Sequence, residues 1–164
     1  MIGWPRKGEI WTQEKKVICA RNGLQVVPDF SFSDSPPLEI LIVPGGYGAE
    51  EIEIHNSVLL DWLREQSQRV EILASVCTGA FLLAKIGLLN GKKATTHWMD
   101  LDRLENEFRQ ISVQRGVKYV DEGGIITSGG ISAGIVMSLR IVEKIFGKDV
   151  ARTTARRMEY DVEL

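Results

Sequence analysis

Ile72-Leu73-Ala74-Ser75-Val76-Cys77-Thr78-Gly79-Ala80 is the stretch that decides the fold of this chain. Val70 to Val76 is a nearly continuous apolar run, too short for a helix, and reads as a strand buried on both faces. Thr78 to Ile86 reads as an apolar helix ending near Gly87. Cys77 stands between them, with Ser75 two residues before it and Gly79 two after. Small residues at those two positions are what a nucleophile elbow requires, since larger side chains would clash in so tight a turn and its central residue is strained. Such a turn lifts the sulfur above the sheet edge and aims the first turn of the helix at it. The expectation is a thiol pKa below the ordinary value, helped by unpaired N–H groups and the helix dipole. The Thr78 N–H is then placed to donate to an oxyanion formed by attack on a carbonyl-like or nitrile-like carbon. The competing account is that Cys77 is a small buried hydrophobe, as free cysteines often are. The turn sequence favours the reactive account.

Working outward, Glu39 to Val43 is a second apolar run that stops at Pro44-Gly45-Gly46-Tyr47-Gly48. It reads as another doubly buried strand, with glycines that let backbone approach a ligand and present N–H groups to it. Asn56 or Ser57 caps a helix whose apolar face is Val58, Leu59, Trp62 and Leu63. Trp98 to Phe108 is helical in period through Leu101, Leu104 and Phe108. Val117 to Val120 and Ile125 to Thr127 read as strands around Asp121-Glu122-Gly123-Gly124. Ile131 to Phe146 is a long helix closed by Gly147. Nearer the N-terminus, Glu9 to Gln13 and Lys16 to Ala20 read as short strands. Arg21-Asn22-Gly23 turns the second of these into Leu24 to Val27. Strands alternating with helices predict an α/β domain with a mostly parallel sheet, one domain over residues 1–164. Ligands in such sheets sit beyond the carboxyl ends of the strands, here just after Val43, Val76 and Thr127.

The 164 residues carry 44% apolar and 26% charged side chains, with a net charge of −2. That balance lacks the basic footprint of a nucleic-acid binder. No apolar run reaches the ~18 residues of a membrane-spanning helix. Met1 to Lys7 lacks a signal-peptide core. Two cysteines, Cys19 and Cys77, make neither a disulfide framework nor a four-cysteine zinc site, so a cytoplasmic protein with reduced thiols is expected.

The quoted stretches, together with Gly91-Lys92-Lys93-Ala94-Thr95-Thr96-His97-Trp98 and Ile126-Thr127-Ser128-Gly129-Gly130-Ile131-Ser132-Ala133-Gly134, resemble the ThiJ/PfpI superfamily, which is related to class I glutamine amidotransferases. The Cys-Thr-Gly form with Thr-Thr-His-Trp downstream resembles its isocyanide hydratase branch and, equally, the sensor domains of AraC-type regulators. The resemblance implies a flavodoxin-like three-layer sandwich, usually a homodimer, with no bound cofactor or metal. It makes Cys77 the nucleophile, with Gly46 and Thr78 as backbone N–H donors and the Thr78 hydroxyl near the substrate. Gly45, Tyr47, His97, Gly129 and Gly130 would line the pocket. Family members begin with a central strand ending in an acid that serves the nucleophile. Nothing before Glu9 reads as that strand, so the expectation is an N-terminally truncated sandwich. A mis-set start codon is the preferred account, over a degraded gene or a rearranged domain.

His97 divides evenly between a pocket role and simple packing. His55, among Glu50, Glu51 and Glu53, reads as a solvated surface residue, and Cys19 as a packing residue. Thr127-Ser128-Gly129-Gly130 either binds an anion at the start of the long helix or lets that helix pack closely. Arg152, Arg156 and Arg157 form a basic helix face, either solvated or at a dimer contact. Two functions follow. One is an enzyme whose Cys77 thiolate attacks a small electrophile, with isocyanide hydration the most concrete version. The other is a ligand or redox sensor, or an inactive homologue. The regulator version would need a helix-turn-helix segment past Leu164, which counts against it, while the missing acid counts toward a sensor or an inactive homologue.

Overall fold

The architecture follows from which apolar runs find a partner. The structure, a computed structural model, describes residues 8–20 and 22–162. Met1 to Lys7, where no strand was expected, and Arg21 of the predicted turn lie outside the described residues. The chain forms two compact units, one ending at Leu38 and one starting at Glu39.

The first unit holds short strands only. β1 (Trp11–Thr12) pairs in parallel with β4 (Phe30–Ser31), and β2 (Ile18–Cys19) pairs antiparallel with β3 (Gln25–Val26). The second pair is the hairpin expected around Asn22-Gly23, with Gly23 in the left-handed region at φ 84°. Trp11 stacks on Phe30 at 5.5 Å between ring centroids. Cys19 is exposed, correcting the packing role assigned to it, because both residues of its two-residue strand face solvent.

The second unit is built on a four-stranded sheet. β5 (Ile40–Val43), β6 (Ile72–Val76) and β10 (Ile125–Ser128) run parallel in that order, and β9 (Tyr119–Asp121) adds antiparallel outside β10. β7 (Lys93–Ala94) and β8 (Ser112–Val113) form a separate parallel pair. The helices are α1 (Ser57–Ser67), α2 (Gly79–Lys85), α3 (Leu101–Glu107), α4 (Ser132–Phe146) and α5 (Lys148–Arg157). Short helical turns at Gly48–Ile52, Glu53–His55 and Trp98–Asp100 link them. The mostly parallel sheet with helical crossovers matches the expected α/β class.

Register and burial position the site. On one face Ile72, Ala74 and Ile126 pack under Met137 and Ile141 of α4, a cluster from which water is excluded. The pleat sends Leu73 and Ser75 to the other face. β6 is buried through Ser75, as its composition predicts. β5 is not buried on both faces: Ile42 is 45% exposed while Leu41 and Val43 are buried. It is the terminal strand of the sheet, so one of its faces lacks a full cover. On α1, Asn56 accepts the Leu59 N–H at 3.3 Å and caps the helix as expected. Trp62, Leu63 and Gln66 form its buried stripe, while Val58, expected there, is exposed. α4 ends at Gly147 (φ 88°), after which α5 begins at once. Arg152, Arg156 and Arg157 lie exposed on α5, and His55 is exposed. Among the described residues no helix is long and apolar enough to cross a membrane.

Candidate active site

β6 delivers Cys77 to the carboxyl edge of the sheet, where the chain reverses into α2. Cys77 takes φ 56°, a left-handed conformation that a side chain with a Cβ rarely adopts, so the elbow stores backbone strain. Three hydrogen-bonded ties hold it there. The Cys77 N–H donates to the Ser128 carbonyl at 3.1 Å and shares the Gly129 carbonyl at 3.2 Å, joining the elbow to the end of β10. The Thr96 hydroxyl donates to the Cys77 carbonyl at 2.9 Å. Ser75, two residues back, is fully buried.

The Pro44-Gly45-Gly46 loop lies directly against this turn. A Cβ on Gly45 would come within 2.6 Å of the Thr78 nitrogen and 2.8 Å of Val76 O. A Cβ on Gly79 would collide with Val43 O and come within 2.9 Å of Pro44 O. Backbone meets backbone here, so both glycines are required for the close approach. The Gly46 N–H donates to Thr78 Oγ1 at 2.8 Å, and that hydroxyl lies 3.4 Å from the Gly46 carbonyl. The N–H expected to face an oxyanion therefore engages the Thr78 hydroxyl in the free protein. Gly45 and Gly46 are exposed, so the loop faces solvent on its outer side, as does the neighbouring Tyr47.

Cys77 is only partly buried, so its sulfur is not sealed in the core. Burial pushes the thiol pKa up, the charges of Asp100 and Glu50 add to the rise, and the Thr78 N–H and hydroxyl only partly offset it. The expectation of a lowered pKa is thereby corrected. α2 is two turns long and offers little dipole, while burial and two carboxylates disfavour the anion.

Of the remaining predicted pocket residues, Gly129 bonds to the elbow, while His97 and Gly130 lie beside the residues that hold it. His97 follows Thr96, which holds the Cys77 carbonyl, and its Nδ1 lies 3.3 Å from Asp100 Oδ2. Its ring packs on Gly130, where a Cβ would stand 2.5 Å from Cδ2. Gly129 donates to the Lys118 carbonyl and accepts from Cys77 and Ser128. Ile131, just beyond, is 87% exposed with φ 47°, so the start of α4 is a second strained point beside the site.

Sequence reasoning missed three residues here. Glu50, on the turn after Gly46, is raised in pKa by burial and by Asp100, while Arg103 and His97 act in the opposite direction. Arg103 spans Glu50 (3.3 Å), Glu51 (2.9 Å) and Glu107 (2.9 Å), with its guanidinium 4.9 Å from the Phe81 ring centroid. Asp100 three residues after His97, on a helical turn, was the available signal. Among the described residues no group of three or more His, Cys, Asp or Glu is arranged to hold a metal ion.

A parallel α/β sheet with a strained cysteine at the strand–helix turn defines a class, the flavodoxin-like proteins with a nucleophile elbow. The DJ-1/PfpI family model matches residues 9–144, and the chain belongs to that family. Isonitrile hydratase of Pseudomonas putida is 37% identical over 143 residues, 87% of this chain and 61% of that protein. The transcriptional regulator GbdR of Pseudomonas aeruginosa is 27% identical over 88% of this chain but only 38% of its own length. A ThiJ/PfpI family protein from Pseudomonas syringae superimposes with a TM-score of 0.85 at 27% identity, covering 95% of this chain and 64% of that one. The chain thus spans less than two thirds of the length of each of these relatives.

Proposed function

We propose that this chain is a cysteine-dependent enzyme that hydrates a small electrophile, with an isonitrile as the substrate class. The observation that carries the reading is the strained elbow at Cys77, with the Thr78 N–H and hydroxyl near enough to its sulfur to favour the thiolate. Strain of this kind persists only where the surrounding structure over-determines it, and it concentrates at working sites. The likeness to isonitrile hydratase supports the substrate class. In this proposal Cys77 adds to the isonitrile carbon to form a thioimidate, and water then releases an N-substituted formamide and the thiol. Thr78 and Gly46 N–H groups stabilise developing negative charge, the Gly46 donor becoming available as the Thr78 hydroxyl turns to the substrate. Gly45, Tyr47, His97, Gly129 and Gly130 form the walls. The protein would act as one domain, as a cytoplasmic homodimer without a bound cofactor.

A second reading has its own support. The raised thiol pKa leaves little thiolate near neutrality, which weighs against nucleophilic catalysis and toward a ligand-sensing domain such as those of the related regulators. Consumption of n-butyl isonitrile by the full chain, compared with Cys77→Ser, separates the two. Formamide production that disappears in Cys77→Ser supports the enzyme. Isonitrile left intact by the wild type supports the sensor.

A further inference from the structure

A thiol held protonated needs a partner to take its proton as sulfur attacks carbon. The N–H groups of Thr78 and Gly46 are donors and cannot do so, and the Thr78 hydroxyl already accepts from the Gly46 N–H. We propose that Glu50 is the group that exchanges protons with Cys77 and with the substrate carbon, an inference that rests on the hydration reading above.

The geometry singles out Glu50 among the nearby acids. Its backbone N–H donates to the Gly46 carbonyl at 3.3 Å, and the Gly46 N–H in turn donates to Thr78, the neighbour of the nucleophile. Glu50 is therefore attached to the elbow through two short links. Its side chain is 18% exposed, against 45% for the adjacent Glu51. Asp100 is engaged by His97 Nδ1 at 3.3 Å. Arg103 donates to Oε2 of Glu50 at 3.3 Å and to the Glu50 carbonyl at 3.5 Å, and no hydrogen bond reaches Oε1 among the described residues. The groups acting on Glu50 are Asp100, Arg103, Glu51 and His97, and Glu50 and Asp100 both act on the sulfur. Burial with Asp100 nearby raises the Glu50 carboxyl despite Arg103, which brings its proton affinity closer to what a relay near neutrality requires.

The steps balance without an oxidant. The Glu50 carboxylate takes the Cys77 proton as the C–S bond forms, then gives it to the same carbon, leaving R–N=CH–S–Cys77. It next takes a proton from water as oxygen adds to that carbon and passes it to nitrogen. Collapse of R–NH–CH(OH)–S–Cys77 breaks the C–S bond and sends the hydroxyl proton back to sulfur through Glu50. The product is R–NH–CHO.

The test combines turnover of n-butyl isonitrile with the pH profile of Cys77 alkylation by iodoacetamide, read on the Cys77 peptide by mass spectrometry. In Glu50→Gln, removing a negative charge should speed alkylation near neutral pH, yet turnover should fall by about 100-fold, a usual contribution of a general acid–base. These opposite changes are not what a merely structural role produces. Glu51→Gln should leave turnover within about two-fold of wild type. Wild-type turnover kept within about two-fold in Glu50→Gln overturns the role of Glu50 and leaves the hydratase reading standing. An inert wild type overturns that reading and Glu50's role with it. Should Glu50→Gln fail to fold, Glu50→Asp decides: lost turnover with a native alkylation profile supports the relay, and full turnover overturns it.

Discussion

At the scale of single residues, Cys77 and Thr78 are read together. Thr78 accepts from Gly46 and faces the sulfur, so Thr78→Ala removes a bond and a donor at once. We expect a loss of about 1 kcal/mol in urea unfolding, and slower alkylation of Cys77 at pH 8 as the thiol rises further. Thr78→Ser should restore both. The raised Cys77 pKa also has a thermodynamic sign. The folded state holds this proton more tightly than the unfolded chain, so the stability it contributes is complete below the unfolded thiol pKa and is lost as pH rises through the folded value. Urea midpoints measured from pH 7 to 10 should fall less in Cys77→Ser than in wild type. A steeper fall in the mutant would contradict the assignment. The elbow itself was legible because only small residues fit at 75 and 79. The rise in pKa was not, since it comes first from burial and then from Asp100 and Glu50, all of which depend on elements that the fold brings in from elsewhere in the sequence.

At the scale of elements, two of the crowded glycines near the elbow, Gly79 and Gly130, behave differently. A Cβ at Gly79 meets the carbonyls of β5 and its following loop, which cannot swing aside, whereas a Cβ at Gly130 meets the His97 ring. Gly79→Ala should cost about 3 kcal/mol, at the upper end for overpacking. Gly130→Ala should cost less in thermal denaturation but lower turnover by displacing His97. Equal destabilisation by the two changes would remove the distinction. On the sheet's other margin, Asp121 of β9 binds Arg140 (3.1 Å) and Lys144 (3.0 Å) of α4 and accepts from the Gly123 N–H. Although burial acts to raise its carboxyl, the bonds to Lys144, Gly123 and Arg140 outweigh it and hold the pKa below the usual carboxylate range. Its contribution is therefore present above the unfolded carboxylate pKa and lost as pH falls through the folded one. Asp121→Asn should flatten the acid limb of the stability curve and cost about 2 kcal/mol at pH 7. The periodicity of β6 and α4 carried these elements in the sequence. The open face of Ile42 and the exposure of Val58 were not visible there, because an apolar run does not say which of its faces a neighbour will cover.

At the scale of the whole molecule, burial is unevenly shared. Among the described residues up to Leu38, only Pro28, Ser31 and Leu38 are buried, and Ile10, Val17, Ile18, Leu24 and Val27 are exposed. From Glu39 onward the sheet and α2 hold a continuous core. Amide hydrogen exchange should be fast from residue 10 to 27 and slowest in β6 and β10, approaching global unfolding. Uniform protection along the chain would contradict this. Ile42→Thr should change stability by less than about 0.5 kcal/mol, whereas Leu41→Ala, one residue away, should cost about 2–3 kcal/mol. The bare contact between the Pro44 loop and the start of α2 has a further mechanical meaning. With no side chain between them to act as a spring, loop and helix transmit displacement directly. Pressure on the loop at Gly45 would therefore fall on the backbone of Val76, Thr78 and Gly79, the residues that flank the nucleophile.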